Sequence, residues 1–240
     1  MSIWGKLIVG TAGFAVGGPI GALFGTAAGH ALDEISFSSY NNDQKNIKSL
    51  AFTGGLIALS AKMAKADGIV TKDEVITFKK LVDIPSENIR DVGRIWELAK
   101  TTIDGYDSYA YQMSKLFQPR SPILEKVLDL LFEIAKSDGV ITNEELDYLN
   151  RVAEIFGIDE KTFDRLSTFH NPESNPYSIL GVDEDTSFEQ IKKHWKILVN
   201  KNHPDRLIGD GMPEEFIQTA TKKLALINEA YFKISEIHKI

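Results

Sequence analysis

The feature that most constrains the fold is a short stretch, residues 202–206, that separates two amphipathic segments. Upstream, residues 188–201 place their apolar side chains at the spacing of one helix face. Downstream, a longer apolar stripe has the same period. Its members are Phe216, Ala220, Leu224, Ile227, Tyr231 and Ile234. Pro204 disfavours helical geometry at His203, so the first helix should end there. The pattern predicts an antiparallel helical hairpin with His203, Pro204 and Asp205 at its tip.

Four segments in this region together resemble the J domains of DnaJ-type co-chaperones. Residues 175–182 look like the family's short opening helix, and residues 191–196 look like its basic second helix. His203-Pro204-Asp205 is the family signature, and residues 227–231 look like the centre of its third helix. The tripeptide alone is a weak signal, whereas four matched segments in the right order are specific.

The resemblance implies a docking surface for a DnaK-type chaperone rather than a catalytic site. Asp205 would meet an arginine of the chaperone near its interdomain linker, with His203 and Pro204 beside it. Five basic residues would meet an acidic face of the partner: Lys192, Lys193, Lys196, Lys201 and Arg206. Any one of these side chains is also explained as a solvated charge on an exposed helix, but the cluster favours docking. Such a J domain would speed ATP hydrolysis by its partner.

Charge and composition exclude several other functions. The formal net charge is −7, and residues 30–174 account for it. An acidic middle segment argues against nucleic-acid binding, which needs a basic face. The chain has no cysteine, which excludes disulfides, thiolate metal sites and a cysteine nucleophile. No nucleophile–base set or phosphate loop is recognisable, so we expect neither enzymatic activity nor a cofactor.

The first third of the chain begins with an uncharged segment, residues 7–29, that is long enough to span a bilayer as a helix. Glycine recurs there at every fourth position, at Gly13, Gly17, Gly21, Gly25 and Gly29. Such a glycine face lets a second helix approach closely, which predicts a homodimer through the transmembrane helix. Trp4 suits the membrane interface. We therefore assign residues 1–32 to a membrane anchor and 33–46 to a polar connector. A flexible glycine-rich leader or a secretory signal is the alternative.

An internal repeat follows, because residues 64–74 align with residues 135–145 at an offset of 71. Both copies contain Asp-Gly-x-Val/Ile-Thr-x-x-Glu, which matches the second half of an EF-hand loop. The first half does not match, because the first and third ligand positions would be apolar and cationic. We instead expect Thr71 and Thr142 to cap helices, with Glu74 and Glu145 completing capping boxes.

The acidic residues of the repeat leave a metal site open as a weaker alternative. Its candidate ligands are Asp67, Glu74, Asp138 and Glu145. The repeat is similar to TerB-like domains, the tellurite-resistance helical family, over residues 47–169. That resemblance implies an all-helical fold with no defined chemistry.

The order of these parts predicts an all-α chain: an anchor, a TerB-like bundle, a linker at residues 170–175, and a J domain at 176–240. This order resembles the membrane-anchored DnaJ-like co-chaperones of Gram-negative bacteria. Residues 1–6 also look like the start of that family, and residues 206–213 look like its extended loop. The resemblance implies a single-pass protein of the inner membrane with its C-terminal domains in the cytosol. The alternative is a membrane-bound sensing or scaffolding adaptor whose TerB-like domain binds a metal ion or a protein partner.

Overall fold

The computed structural model describes residues 3–4, 18–22, 44–64, 72–81, 84–101, 105–139, 141–169 and 175–238. Within these ranges the chain is helical and contains no strand. The all-α prediction is therefore confirmed.

A helical bundle is built around two helices that are buried on nearly all sides. Residues 50–61 of the first and residues 123–132 of the second are all buried. The first of these stretches carries no charge, and the second is apolar except for Glu125, Lys126 and Asp129, so both are suited to a core. The surrounding helices have one polar face. The bundle helices are α1 (Gln44–Met63), α2 (Lys72–Leu81), α3 (Ile89–Thr101), α4 (Tyr106–Phe117), α5 (Pro122–Ala135), α6 (Asn143–Phe156) and α7 (Glu160–Phe169). The central pair is α1 and α5, and each ends where one copy of the internal repeat begins.

The second copy of the repeat forms the predicted helix cap. The backbone N–H of Glu145 donates to Thr142 Oγ1 at 3.2 Å, and the backbone N–H of Thr142 donates to Glu145 Oε2 at 2.8 Å. Gly139, just before the cap, has a φ of 107°, a left-handed conformation that favours glycine. The capping prediction is confirmed for Thr142 and Glu145. In the first copy, Thr71 and the side chain of Glu74 lie outside the described residues.

The C-terminal segment forms the predicted hairpin. Its helices are α8 (Pro176–Leu180), α9 (Phe188–Asn202), α10 (Pro204–Asp210) and α11 (Ile217–Ile237). The long helices α9 and α11 pack together around a small core of their own. Its buried members are Leu180, Ile191, Leu198, Ile227, Ala230, Tyr231 and Ile234. The Trp195 ring stacks on Tyr231 with centroids 4.1 Å apart, and its indole N–H donates to Asn228 Oδ1 at 2.9 Å.

Two residues of the predicted apolar stripe pack elsewhere. Phe216 and Ala220 belong to the large core of the bundle, together with Leu207 of α10 and Met212 of the loop that follows α10. The Phe216 ring meets Phe52 of α1 edge-on, with centroids 5.0 Å apart. The hairpin is thus packed against the bundle. The sequence did not predict this contact, because the helical period identifies an apolar face but not the element that covers it.

Gly211 makes this close packing possible. It has a φ of 120°, and a Cβ added there would lie 2.6 Å from Lys48 Cβ on α1. Ser49 Oγ donates to the Gly211 carbonyl at 3.0 Å. A side chain at this position would therefore force the loop away from α1.

The predicted anchor lies mostly outside the described residues. Gly13, Gly17, Gly25 and Gly29 belong to that part, whereas Gly21 is described and buried. Trp4 and Ile20 are buried in the core of the bundle. Among the residues with described coordinates, no helix combines the length and apolar character needed to cross a bilayer.

Candidate partner-binding surface

The His203-Pro204-Asp205 tripeptide lies at an exposed corner between two helices. Helix α9 ends at Asn202, and His203 has an extended backbone with φ −65° and ψ 127°, as the following proline requires. His203 Nδ1 accepts the backbone N–H of Asp205 at 3.3 Å, a contact that begins α10. The Asp205 side chain is 87% exposed, and its Oδ2 lies 3.8 Å from His203 Nδ1. The corner therefore presents an exposed carboxylate to solvent.

A row of lysines lies on the outer side of α9, the helix that leads to this corner. Lys192, Lys193 and Lys196 are exposed, while Ile191 and Leu198 on the opposite side are buried. Exposed and buried residues alternate with the helical period, so the three lysines share a face that the hairpin leaves open. Three of the five predicted basic residues are thus available to a partner.

The remaining two predicted basic residues have partners within the chain. Lys201 Nζ lies 2.7 Å from Glu125 Oε1 on the bundle helix α5, and the lysine side chain is 36% exposed. Arg206 donates to Asn200 Oδ1 and lies 3.9 Å from Asp210 Oδ2. The Arg206 contacts are local and exposed, whereas the Lys201 contact joins the hairpin to the bundle.

Helix α5 carries a second carboxylate that holds the hairpin. Asp129 lies one turn after Glu125, and its oxygens are 2.6 Å from Lys223 Nζ of α11 and 3.0 Å from Lys126 Nζ. Burial lowers the pKa of Lys223 to about 8, against the opposing effect of Asp129. These residues were missed by sequence reasoning. The available signal was a row of three acidic residues at four-residue spacing, Glu125, Asp129 and Glu133, in a helix whose only other charge is Lys126. Buried charges need partners, so this row predicts cations on the elements that cover the helix.

Arg165 and His194 complete the contact between the bundle and the hairpin. The Arg165 guanidinium lies 3.4 Å from Glu125 Oε2, and burial lowers the pKa of this arginine. The half-buried His194 is on α9, and its pKa is lowered first by burial and then by the nearby Arg165 charge. No sequence pattern indicated a role for His194, and the structure places it at this contact.

The weaker metal hypothesis gains no support from the described residues. Glu145 is engaged in the cap of α6, and no group of three metal-ligating side chains occurs in the described part of the chain. Asp67 and the side chains of Glu74 and Asp138 lie outside it.

A cavity of about 320 Å³ between α2, α5 and α11 has lysines and carboxylates in its lining, including the paired Asp129 and Lys223.

Comparison with protein families finds three domains in the predicted order. Residues 1–58 match the co-chaperone DjlA transmembrane domain, residues 53–168 match tellurite resistance protein TerB, and residues 175–239 match the DnaJ domain. The third match contains the exposed tripeptide and the lysine row described above.

Relatives of known name align along nearly the whole chain. Co-chaperone protein DjlA of Legionella pneumophila is 24% identical, covering 97% of this chain and 95% of its own length. The proteins of the same name from Coxiella burnetii and Escherichia coli K12 are 24% and 23% identical, and each alignment covers 98% of both chains. No solved structure matches the chain significantly. Because the domain order and the full-length relatives agree, the chain belongs to the DjlA-like family of DnaJ-type co-chaperones.

Proposed function

We propose that this protein is a membrane-anchored co-chaperone whose J domain binds a DnaK-type chaperone and stimulates its ATPase. The observation that carries the proposal is the exposed Asp205 carboxylate at the helix corner, together with the open lysine row on the helix that leads to this corner. Asp205 would pair with an arginine of the chaperone, with His203 and Pro204 setting the geometry of the corner. Lys192, Lys193 and Lys196 would attract an acidic surface, and such charge complementarity raises the rate of encounter.

The proposal assigns each part of the chain a role. Residues 1–32 would hold the protein in the inner membrane as a single span that dimerises through its glycine face. Residues 47–169 and 176–240 would lie in the cytosol, where ATP and the DnaK-type partner are found. The match of residues 1–58 to a transmembrane domain supports the anchor, and the shared name of the relatives supports the co-chaperone role. The chain itself would catalyse no reaction, because the hydrolysed ATP is bound by the partner.

The direct test is single-turnover ATP hydrolysis by a purified DnaK-type chaperone, with the full chain added in detergent micelles. We expect the wild-type chain to accelerate hydrolysis in a concentration-dependent way at low salt. Lys193→Ala should weaken the acceleration at low ionic strength, and the difference from wild type should shrink as salt screens the charge. Lys233→Ala is the matched control. It removes an exposed lysine of the hairpin that lies on α11 and pairs with Glu229.

The result that would contradict the proposal is an absence of acceleration at every concentration of the wild-type chain. Tight binding of a divalent ion or of another protein to the same preparation would then favour the sensing or scaffolding adaptor.

A further inference from the structure

One residue of the proposed partner-binding surface is already occupied inside the protein. Lys201 Nζ is 2.7 Å from Glu125 Oε1, and the Glu125 side chain is 11% exposed. Lys192, Lys193 and Lys196 on the same helix remain open. The bundle therefore offers Lys201 the same chemistry, a carboxylate, that the proposed acidic partner surface would offer.

The two cross-domain ion pairs of α5 differ in how readily they can open. Lys223 is 5% exposed, so its ammonium would have to cross a packed contact to reach water. The Lys201 side chain is 36% exposed and lies at the rim of the same contact. A partly exposed charge loses less than a buried one when it leaves its partner, so releasing Lys201 costs less than releasing Lys223.

Glu125 also keeps a partner when Lys201 leaves. Its second oxygen, Oε2, is 3.4 Å from the buried guanidinium of Arg165. A buried carboxylate without any cation is costly, so this second contact lowers the cost of releasing Lys201. The apolar packing of Phe216 on Phe52 does not involve Lys201 and can hold the hairpin in place meanwhile.

We propose that Glu125 is an intramolecular competitor for the DnaK-type chaperone. Glu125 holds Lys201 in the free protein, and the acidic surface of the chaperone displaces Lys201 from Glu125 when it binds. The bundle thereby lowers the affinity of the J domain for its partner, because only molecules with Lys201 released are fully competent to bind. This inference rests on the proposed function and adds a role for the TerB-like bundle in it.

The first test uses the unmodified full chain and a carbodiimide, which joins a lysine to a carboxylate in direct contact. We expect an isopeptide bond between Lys201 and Glu125 in the free protein, detected by mass spectrometry. The yield of this cross-link should fall at least about fivefold when the chaperone is saturating and ATP is present. Fivefold is about the lower end of the usual coupling between two binding events. The exposed pair Lys233–Glu229, 2.7 Å apart on α11, is the internal control, and its yield should not change.

The second test measures how much of the full chain is needed for half-maximal stimulation of the chaperone. Glu125→Gln keeps the side chain's shape but removes the charge, so we expect the half-maximal concentration to fall about fivefold. Glu154→Gln removes an exposed carboxylate of the bundle that pairs with Arg151, and it should leave the concentration unchanged.

The outcomes separate this inference from the proposed function. If wild type stimulates the chaperone but the Lys201–Glu125 yield stays constant at saturation, the competition is overturned and the proposed function stands. Superimposable curves for wild type and Glu125→Gln would overturn it in the same way. Absence of stimulation by every variant would overturn the proposed function and the competition together, whatever the cross-linking yield.

Discussion

At the residue scale, Thr142 shows how one side chain fixes a helix boundary. Its hydroxyl accepts the Glu145 N–H, and Glu145 accepts the Thr142 N–H in return. We expect Thr142→Ala to lower the free energy of unfolding by about 1 kcal/mol, the usual cost of losing an N-terminal cap.

The control is Ser121→Ala, because Ser121 precedes α5 without a side-chain capping bond. Its buried Oγ has no hydrogen-bond partner among the described residues, so this substitution should cost little. Urea unfolding of both variants measures the difference. Equal losses for the two variants would show that the cap of α6 contributes nothing specific.

The lowered pKa of Lys223 predicts how the stability of the protein depends on pH. Its pKa is about 8 in the folded protein, below the 10.5 of an ordinary lysine, because burial disfavours the ammonium. Between these two values the unfolded chain binds more protons than the folded chain, so this group makes the free energy of unfolding rise with pH. Lys126, Asp129 and Arg165 surround the ammonium and set the size of the effect.

The measurement is urea unfolding at several values between pH 8 and 10.5. Compared with wild type, Lys223→Met should show a smaller rise in stability with pH. Lys222→Met, which changes the exposed neighbour, should retain the wild-type slope. A slope that is the same in all three proteins would mean that Lys223 titrates normally.

Residues whose role is local were predictable, and residues whose role depends on a distant partner were not. Thr142 and Glu145 are three positions apart, and the termination at His203 follows from the next residue in the chain. Lys201 and Glu125 are 76 positions apart, and no local pattern joins them. The sequence therefore predicted a lysine row but not which lysine is engaged.

At the element scale, the positions where helices begin were predictable, whereas the packing of the helices was only partly predictable. Proline begins α5 and α8, and a glycine precedes α4, as turn chemistry predicts. The stripe on α11 was predicted as one face of a hairpin. In the structure Phe216 and Ala220 pack in the core of the bundle, whereas Ile227, Tyr231 and Ile234 pack in the core shared with α9. Two partners therefore share one apolar face.

The glycine face of the predicted anchor helix can be tested by substitution. If the glycine face mediates dimerisation, Gly21→Leu should weaken self-association, because a large side chain keeps the two backbones apart. Leu23→Ile keeps the hydrophobicity and leaves the glycine face intact, so it is the control. A bacterial two-hybrid assay for membrane helices reports both. Equal signals for the two variants would show that the glycine face does not mediate dimerisation.

At the scale of the whole molecule, the J-domain hairpin and the bundle share a core. Leu207, Met212 and Phe216 are buried with bundle residues, and they would become exposed if the hairpin were cut away. Domain order was predictable because each segment has its own motif. The shared core was not, because it arises from surfaces that face each other only after both parts have folded. Functional assays should therefore use the full chain.

The central claim is that Asp205 transmits the J domain's effect to a DnaK-type chaperone. Its side chain is 87% exposed, so Asp205→Asn should leave folding almost unchanged. Losing one charge of a pair that becomes desolvated on binding typically costs about 2–5 kcal/mol. Asp183→Asn is the control, since Asp183 is an exposed carboxylate of the same hairpin segment before α9.

The deciding measurement is the single-turnover rate of ATP hydrolysis by the chaperone with each full-length variant at equal concentration. Circular dichroism confirms that all variants are equally helical. We expect stimulation by wild type and Asp183→Asn, and a rate at the unstimulated level with Asp205→Asn. Stimulation by a folded Asp205→Asn variant equal to that of wild type would contradict the proposed role of Asp205.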